Sequence, residues 1–433
     1  MAKAVSSARE CAYAVVRRVF EQDAYADRAF HAEAQSRGLD GRDRSFAMAL
    51  AYGTVQRKAT LDHVAAAFSQ RPPERLDPPI LAAVRLGLMQ LLFMDGVADH
   101  AAVHESVELA KRHARAGSGL VNAVLRRALR EGRELLAPLN DDTPAGAAVL
   151  HSVPQWLAEL WWAELGPERA RALLGAVNEP AESALRVNTL LAPVTDVAAG
   201  LGVACRPAPG LPEGLALPEG LVLDAPFDAY ASPQWDCGQI MPQSRGSMAV
   251  ARALTPQAGE RVLDLCAAPG AKTTHLAALT GDDGELVAVE RHAGRAEALR
   301  RTLARMRVRS ATVTTADAGA FRAGKGFDRV LVDPPCSGLG TLQSRPDLRW
   351  RTSPERISDL APQQARILAA GAAAMRPGGT LVYSVCTISR AESDDVVAAF
   401  LDVHPRWEAE APVRLAPDTD GTDGFFIARL RAA

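Results

Sequence analysis

Five short apolar runs recur in the second half of the chain, at 261–266, 286–290, 311–315, 329–333 and 380–385. Helix-length amphipathic segments such as 295–306 and 363–375 lie between them. Strands separated by a helix pair in parallel, and the crossover helices cover both faces of the resulting sheet. This alternation predicts a doubly wound α/β domain over 241–433. Ligands of such sheets bind at the carboxyl edge, where strand order reverses. The residues that directly follow each run are therefore the first candidates for chemistry.

The remainder of the 433 residues has a different texture. Over 1–140 the apolar residues follow helical spacing: Ile80, Leu81, Val84, Leu88, Leu91 and Leu92 form one face, and Leu120, Val121, Val124, Leu125, Ala128 and Leu129 another. Pro72, Pro73, Pro78 and Pro79 mark a helix start. An all-helical bundle is expected there. The run 138–144, PLNDDTP, reads as a loop and a domain boundary. Helix resumes over 145–175, where Trp156, Leu157, Leu160 and Trp161 read as core packing in preference to a base-stacking platform. Residues 205–236, rich in Pro and Gly, read as short strands and turns. The expected division is a helical domain at 1–140, a small α+β connecting region at 141–240 and the α/β domain at 241–433.

Charge is unevenly spread. The net charge is −2, yet 141–240 hold four Lys and Arg against thirteen Asp and Glu. The first 140 residues are mildly basic, compatible with nucleic-acid contact but equally with a solvated Arg-rich helical surface. Six cysteines in a chain of this length read as free thiols in a reducing compartment, not a disulfide framework. Arg9, Glu10, Arg17 and Arg18 interrupt any signal-peptide core in the opening residues. No run approaches the length of a membrane span. A cytoplasmic protein without membrane association is expected.

The first strand runs into Asp264-Leu265-Cys266-Ala267-Ala268-Pro269-Gly270-Ala271-Lys272. Small residues let backbone approach a ligand, but neither GxGxxG nor a phosphate loop is present. A nucleoside ligand without pyrophosphate fits better, and a dinucleotide dehydrogenase ranks last. Glu290 ends the second strand, where an acid can accept from ribose hydroxyls. Asp317 follows the third strand and can accept from an adenine amino group. Asp333 follows the fourth, opening Asp333-Pro334-Pro335-Cys336-Ser337-Gly338, whose prolines fix the backbone as it leaves the sheet. Cys386 closes the fifth. Two thiols at two strand exits can face one cleft. Cys11, Cys205 and Cys237 read as inert small apolar residues, Cys266 as a backbone contact, and His275 and His292 as structural helix residues. No metal-ligand spacing and no G-x-S-x-G elbow occurs.

The strings DLCAAPGAK, DPPCSGLGT, RPDLRW, PGGTLVYSVCT and DGFF resemble the blocks of S-adenosylmethionine-dependent RNA (cytosine-C5) methyltransferases over roughly 180–433. The helical first 140 residues are similar to NusB-like RNA-binding domains. The pairing resembles the RsmB family, which methylates a cytosine of 16S ribosomal RNA. The resemblance implies a class I, Rossmann-like methyltransferase domain behind an all-α NusB-like bundle. It implies S-adenosylmethionine held by Cys266, Ala267, Ala268, Pro269, Gly270, Ala271, Lys272, Glu290, Asp317 and Asp333. It implies catalysis by Cys386 as nucleophile, Cys336 for product release, Asp333 at the cytosine N3/N4 edge, and Lys272. Ala271 stands where the family usually has Gly, Pro334 where it has Ala, Val385 for a common Thr, and Gln343-Ser344 for a more basic pair.

The chemistry explains the thiols. Cytosine C5 is a poor nucleophile until a thiolate adds to C6 and makes it enamine-like. The residues alone leave open which thiol attacks. The implied partner is unassembled or partly assembled 16S rRNA presenting an unpaired or flipped-out base, and the implied enzyme a metal-free monomer. Two alternatives stand. A DPPY-type amino-methyltransferase would need no thiol. A non-catalytic NusB-type RNA-binding or antitermination factor would not need the acids and cysteines at all.

Overall fold

The computed structural model describes residues 5–432. They group into two compact units: residues 5–178 with Arg345–Ser353, and Glu179–Ser344 with residues 354–432.

The first unit is helical. Its helices are Ser7–Glu21, Ala26–Ser36, Gly41–Gln56, Lys58–Ser69, Pro78–Phe93, Asp99–His113 and Ser118–Leu136, then Pro144–Leu150, Gln155–Leu165 and Pro167–Ala176. The proline pair starts Pro78–Phe93, where a missing N–H costs nothing. That helix is buried all round from Ile80 to Leu91. Its one buried cation, Arg85, forms a two-pronged pair with Asp62, Nε to Oδ1 at 2.7 Å and Nη2 to Oδ2 at 2.8 Å. In Ser118–Leu136 the buried stripe is Val121, Val124, Leu125, Ala128 and Gly132. Leu129, assigned to that face from its spacing, is exposed, because it lies one residue past the stripe's centre line. Thr143 caps Pro144–Leu150, its hydroxyl accepting from the Gly146 N–H at 3.1 Å. Trp161 and Leu157 are fully buried, as core residues should be.

The second unit holds two sheets. The smaller is antiparallel: β1 (Ala184–Val187), β2 (Cys205–Pro207), β3 (Gly220–Leu223) and β4 (Ile240–Pro242), in the order β2-β3-β1-β4. The larger contains β5 (Arg261–Leu265), β6 (Glu285–Glu290), β7 (Ala311–Thr315), β8 (Phe327–Val332), β9 (Met375–Val385), β10 (Trp407–Ala409), β11 (Val413–Leu415) and β12 (Phe425–Ala432). Its order is β10-β12-β9-β8-β5-β6-β7, with β11 paired to β12. β5 to β9 are mutually parallel. Strand side chains alternate between two cores: Leu263, Leu265, Val330, Val332 and Leu381 on one face, Val262, Leu331 and Val382 on the other.

The sheet is mixed, not all-parallel as the alternation alone predicts. β12 runs antiparallel to β9 and to β10 and lies between them. The apolar end of the chain, Phe425 to Leu430, needs burial on both faces, and the gap beside β9 provides it. His292 does not join a helix; it is the exposed, extended residue before Ala293–Arg305. Among the described residues no helix is long and apolar enough to cross a membrane, and no cluster of three His, Cys, Asp or Glu could hold a metal ion.

Candidate active site

Strand order reverses at β5, which has β6 on one side and β8 on the other. The loop leaving β5 is tightly constrained. Cys266 takes a positive φ of 66°, which a Cβ disfavours, and the Ala267 N–H reaches the Val289 carbonyl at 3.0 Å. The Ala268–Pro269 peptide is cis. Gly270 has φ 109°, and a Cβ there would meet the Leu299 side chain at 2.8 Å, so only glycine fits. Helix Ala271–Leu279 begins at once. Burial, reinforced by the charges of Asp333, Asp264 and Glu290, pushes the Cys266 thiol far up, so it stays protonated.

Asp264 sits under this loop, 1 % exposed. Thr273 Oγ1 donates to its Oδ2 at 2.6 Å; its Oδ1 has no hydrogen-bond partner among the described residues. Burial, helped by Asp333, raises its carboxyl to about 7. Glu290 is buried at the end of β6 and accepts from the His292 N–H at 2.8 Å. Arg295 Nε lies 3.4 Å from Glu290 Oε2, and Arg295 Nη2 donates to the Ala268 carbonyl at 2.6 Å. Asp317, after β7, accepts from the Gly319 N–H at 3.0 Å and from both terminal nitrogens of Arg366, at 3.0 and 3.3 Å. Partial burial acts to raise Asp317, but these donors outweigh it and its carboxyl lies below the usual range.

The fourth and fifth strand ends meet. Lys272 Nζ donates to Asp333 Oδ2 at 2.8 Å, and Ser384 Oγ to Asp333 Oδ1 at 3.1 Å. Burial works to lower the Lys272 ammonium, yet the charge of Asp333 and its hydrogen bond prevail and raise it. The same ammonium stands 5.4 Å from the Phe425 ring centre. Cys336 Sγ and Cys386 Sγ are 3.4 Å apart, both half-buried. The contact with Cys386, then burial, then the charges of Cys386, Glu392 and Asp333 raise the Cys336 thiol well above its usual value. Main chain also joins the two loops: the Gly340 N–H donates to the Cys386 carbonyl at 3.0 Å, and the Gly424 N–H to the Gly340 carbonyl at 2.7 Å. A Cβ on Gly340 would run into the Gly424 backbone, so these two glycines let the DPPCSG loop and the start of β12 touch.

The structure thus gathers Lys272, Asp333, Cys336 and Cys386 into one cluster, with Glu290 and Asp317 further along the same sheet edge. It adds residues that sequence reading did not find: Ser384, Gln364, Glu392 and the arginines 295 and 366. It adds Arg186 as well, fully buried, whose Nη2 donates to Thr274 Oγ1 at 2.7 Å and so ties β1 to the helix Ala271–Leu279. Burial pushes Arg186 down to about 9. Cys11 is buried and raised to about 11 by that burial, an inert thiol. Cys237, expected to be similar, is exposed, because it ends the short surface helix Pro233–Asp236.

Five parallel strands that reverse order at β5, acids at their carboxyl ends and a polar cluster across β8 and β9 define a class I α/β methyltransferase domain, here joined to a helical unit. Comparison with known proteins agrees. The family model "16S rRNA methyltransferase RsmB/F" matches residues 251–431, "NusB family" 6–130, and "Methyltr_RsmF/B-like, ferredoxin-like domain" 153–228. The "Probable ribosomal RNA small subunit methyltransferase B" of Synechocystis is 35% identical, over 99% of this chain and 100% of its own. The "Ribosomal RNA small subunit methyltransferase B" of Thermus thermophilus is 37% identical, over 90% and 89% respectively. The crystal structure of PH0851 superposes with a TM-score of 0.83 at 25% identity, covering all of both chains. The chain belongs to the RsmB/F family of 16S rRNA methyltransferases.

Proposed function

We propose that the protein methylates C5 of a cytosine in 16S rRNA, with S-adenosylmethionine as donor and a transient bond between Cys386 and the base. The observation that carries this is the pair of sulfurs 3.4 Å apart on the loops that leave adjacent strands, beside the Lys272–Asp333 ion pair. An exocyclic amine acceptor would need neither thiol.

The residues of the β5 edge suit the donor. A turn of small residues closes on a buried Asp264 whose Oδ1 lacks a partner, and Glu290 and Asp317 offer acceptors to hydroxyls and an amine. In this reading Cys266 to Lys272, Glu290, Asp317 and Asp333 hold the group, and Arg366 yields part of its hold on Asp317. S-adenosylmethionine, when bound, supplies an electrophilic methyl group on a sulfonium.

The chain's own residues do the rest. The Cys386 thiolate adds to C6: the S–C6 bond forms, the C5=C6 π pair shifts to C4–C5 and the C4=N3 π pair goes to N3, which leaves C5 enamine-like. Asp333, held by Lys272 and Ser384, faces the N3/N4 edge and, sharing a proton with N3, offsets the negative charge that builds there. After C5 carries the methyl group, a base takes the C5 proton, the C–H pair re-forms the C5=C6 double bond and sulfur departs as thiolate with the S–C6 pair. Cys336, in contact with Cys386, assists that release. The base must be unpaired or flipped out. The segment 1–140 supplies backbone and shape contacts to RNA, 141–240 connects, and 241–433 carries the chemistry. The protein works as a cytoplasmic monomer on unassembled or partly assembled rRNA.

The test is a pair of variants incubated with RNA and donor. Cys386→Ala is expected to lose both adduct and turnover. Cys336→Ala is expected to accumulate an RNA–protein species, seen as a slow band on a denaturing gel. The reverse pattern would overturn the role assignment; an active Cys386→Ala would favour the amino-methyltransferase reading.

A further inference from the structure

Glu392 is completely buried in the turn Arg390–Glu392, and its carboxylate joins both thiol loops. From the loop after β8, the Ser337 N–H donates to Oε1 at 2.8 Å, and the Ser337 hydroxyl makes a short bond to Oε2. From the loop after β9, Thr387 Oγ1 donates to Oε2 at 3.2 Å. Ser337 and Thr387 also touch each other, oxygen to oxygen at 2.7 Å. Each is the residue directly after one of the two cysteines. Gln364 completes the set: its Nε2 donates to Glu392 Oε1 at 3.0 Å and to the Pro335 carbonyl at 2.9 Å. The Tyr383 hydroxyl donates to the Glu392 carbonyl at 2.6 Å, so the turn itself is pinned to β9.

Four donors, none of them charged, converge on one buried carboxylate. A carboxylate taken out of water needs donors such as these to offset its lost hydration. The two loops leave different strands, and the Gly340 N–H to Cys386 carbonyl bond is their other main tie. We infer that Glu392 is a positioning residue of the thiol pair: its carboxylate locks Ser337 to Thr387 and thereby sets the separation and facing of Cys336 and Cys386. The inference rests on the proposed thiol chemistry. The charge of Glu392 also acts on Cys336, helping to hold that thiol protonated. The charged and titratable groups around the pair are Lys272, Asp333, Tyr383 and Glu392 itself.

The test compares full-length Glu392→Gln, Glu392→Asp and wild type. Gln keeps the reach; the two hydroxyls can turn to accept from its amide nitrogen. Asp keeps the charge but is one methylene short of spanning both loops. Misplacing a reacting group by about 1 Å costs on the order of 100-fold. The expected result is a kcat about ten-fold down for Gln and about 100-fold down for Asp, with the KM for RNA and the calorimetric affinity for S-adenosylmethionine unchanged. In a Cys336→Ala background, the covalent RNA species should form more slowly by the same factors. Wild-type kcat in both variants, with Cys386→Ala inactive, overturns the role of Glu392 alone. Losses that appear equally in cofactor affinity and melting temperature overturn it too, since they mark a general packing role. An active Cys386→Ala overturns the underlying reading.

Discussion

Two thiols in van der Waals contact are a two-electron reductant as well as a nucleophile and its partner. With Cys336 and Cys386 3.4 Å apart, hydrogen peroxide should oxidise one sulfur to the sulfenic acid. The other should then displace water from it, forming an S–S bond. The half-buried setting leaves room for a small oxidant but shields the sulfenic acid from further attack. Brief peroxide treatment is thus expected to abolish methyl transfer and to join the two cysteine peptides, two hydrogens lighter in mass spectra, with dithiothreitol restoring both. Sulfinic acid on one cysteine without a cross-link would contradict the geometry. Both cysteines were readable in the sequence because each follows an apolar run, and because the Asp333-Pro334-Pro335 stretch can only be a strand exit. Glu392 was not readable. It opens the acidic string Glu392-Ser393-Asp394-Asp395, which has the composition of a solvated first helical turn. Helix Asp394–Val403 does start there. Only the fold turns the first of these acids inward.

At the scale of elements, strand positions were legible because each run is bounded by turn residues and separated by a helix. The antiparallel insertion of β12 was not, since direction within a sheet leaves no mark on a lone apolar run. Nor was the polar junction beneath the loop that leaves β5. His275, rightly read as structural, is fully buried and its Nε2 lies 2.6 Å from Glu219 Oε1; Arg252 pairs with the same carboxylate. This joins helix Ala271–Leu279 to the turn before β3. Burial pushes His275 down to about 4. Burial would raise Glu219, but the bonds from His275 and Arg252 outweigh it and hold it at about 2. Both folded values lie below the ordinary 6.5 and 4.5. As pH falls through 6.5, the unfolded chain takes up a proton that folded His275 refuses until about 4; below 4.5 the unfolded glutamate does the same until about 2. The second unit should therefore lose stability progressively on acidification. His275→Gln keeps a donor to Glu219 but cannot titrate, so its urea midpoint should fall less between pH 7 and pH 4.5 than the wild type's. Parallel curves for the two proteins would refute the assignment.

For the whole molecule, the mild positive balance of the first 140 residues was a poor guide to partners. Many of those arginines are matched internally, as in Arg9–Glu105, Arg18–Glu33 and Arg85–Asp62. The segment bearing RPDLRW shows a larger limit of reading in one dimension. Its neighbours in sequence belong to the α/β unit, yet Arg345–Ser353 packs in the helical one. Arg349 is fully buried there, its Nη1 donating to Asn178 Oδ1 and the Ser152 carbonyl, both at 3.0 Å, and its Nη2 to the Val177 carbonyl at 3.2 Å. The Trp350 indole donates to the Val55 carbonyl at 2.7 Å, with Lys58 Nζ 4.7 Å from a Trp350 ring centre. Arg351 stacks on Tyr25 and pairs with Asp23. Both arginines are thus bound to protein. Burial drives the Arg349 guanidinium down to about 9, a cost that these acceptors help to offset. Removing the side chain takes the donor from the Ser152 carbonyl and Asn178 Oδ1 in the interior, at about 1–3 kcal/mol each, while Gln56 Nε2 still donates to the Val177 carbonyl at 3.2 Å. Arg349→Ala should then lower the stability of the helical unit by several kcal/mol and leave the α/β unit's transition in place. Amide hydrogen exchange can separate the two. Peptides spanning Val55, Ser152 and Val177 should lose protection in the variant while those of β5 and β8 keep theirs. Uniform loss across both units, or none in either, would mean that the nine-residue segment does not hold the helical unit together.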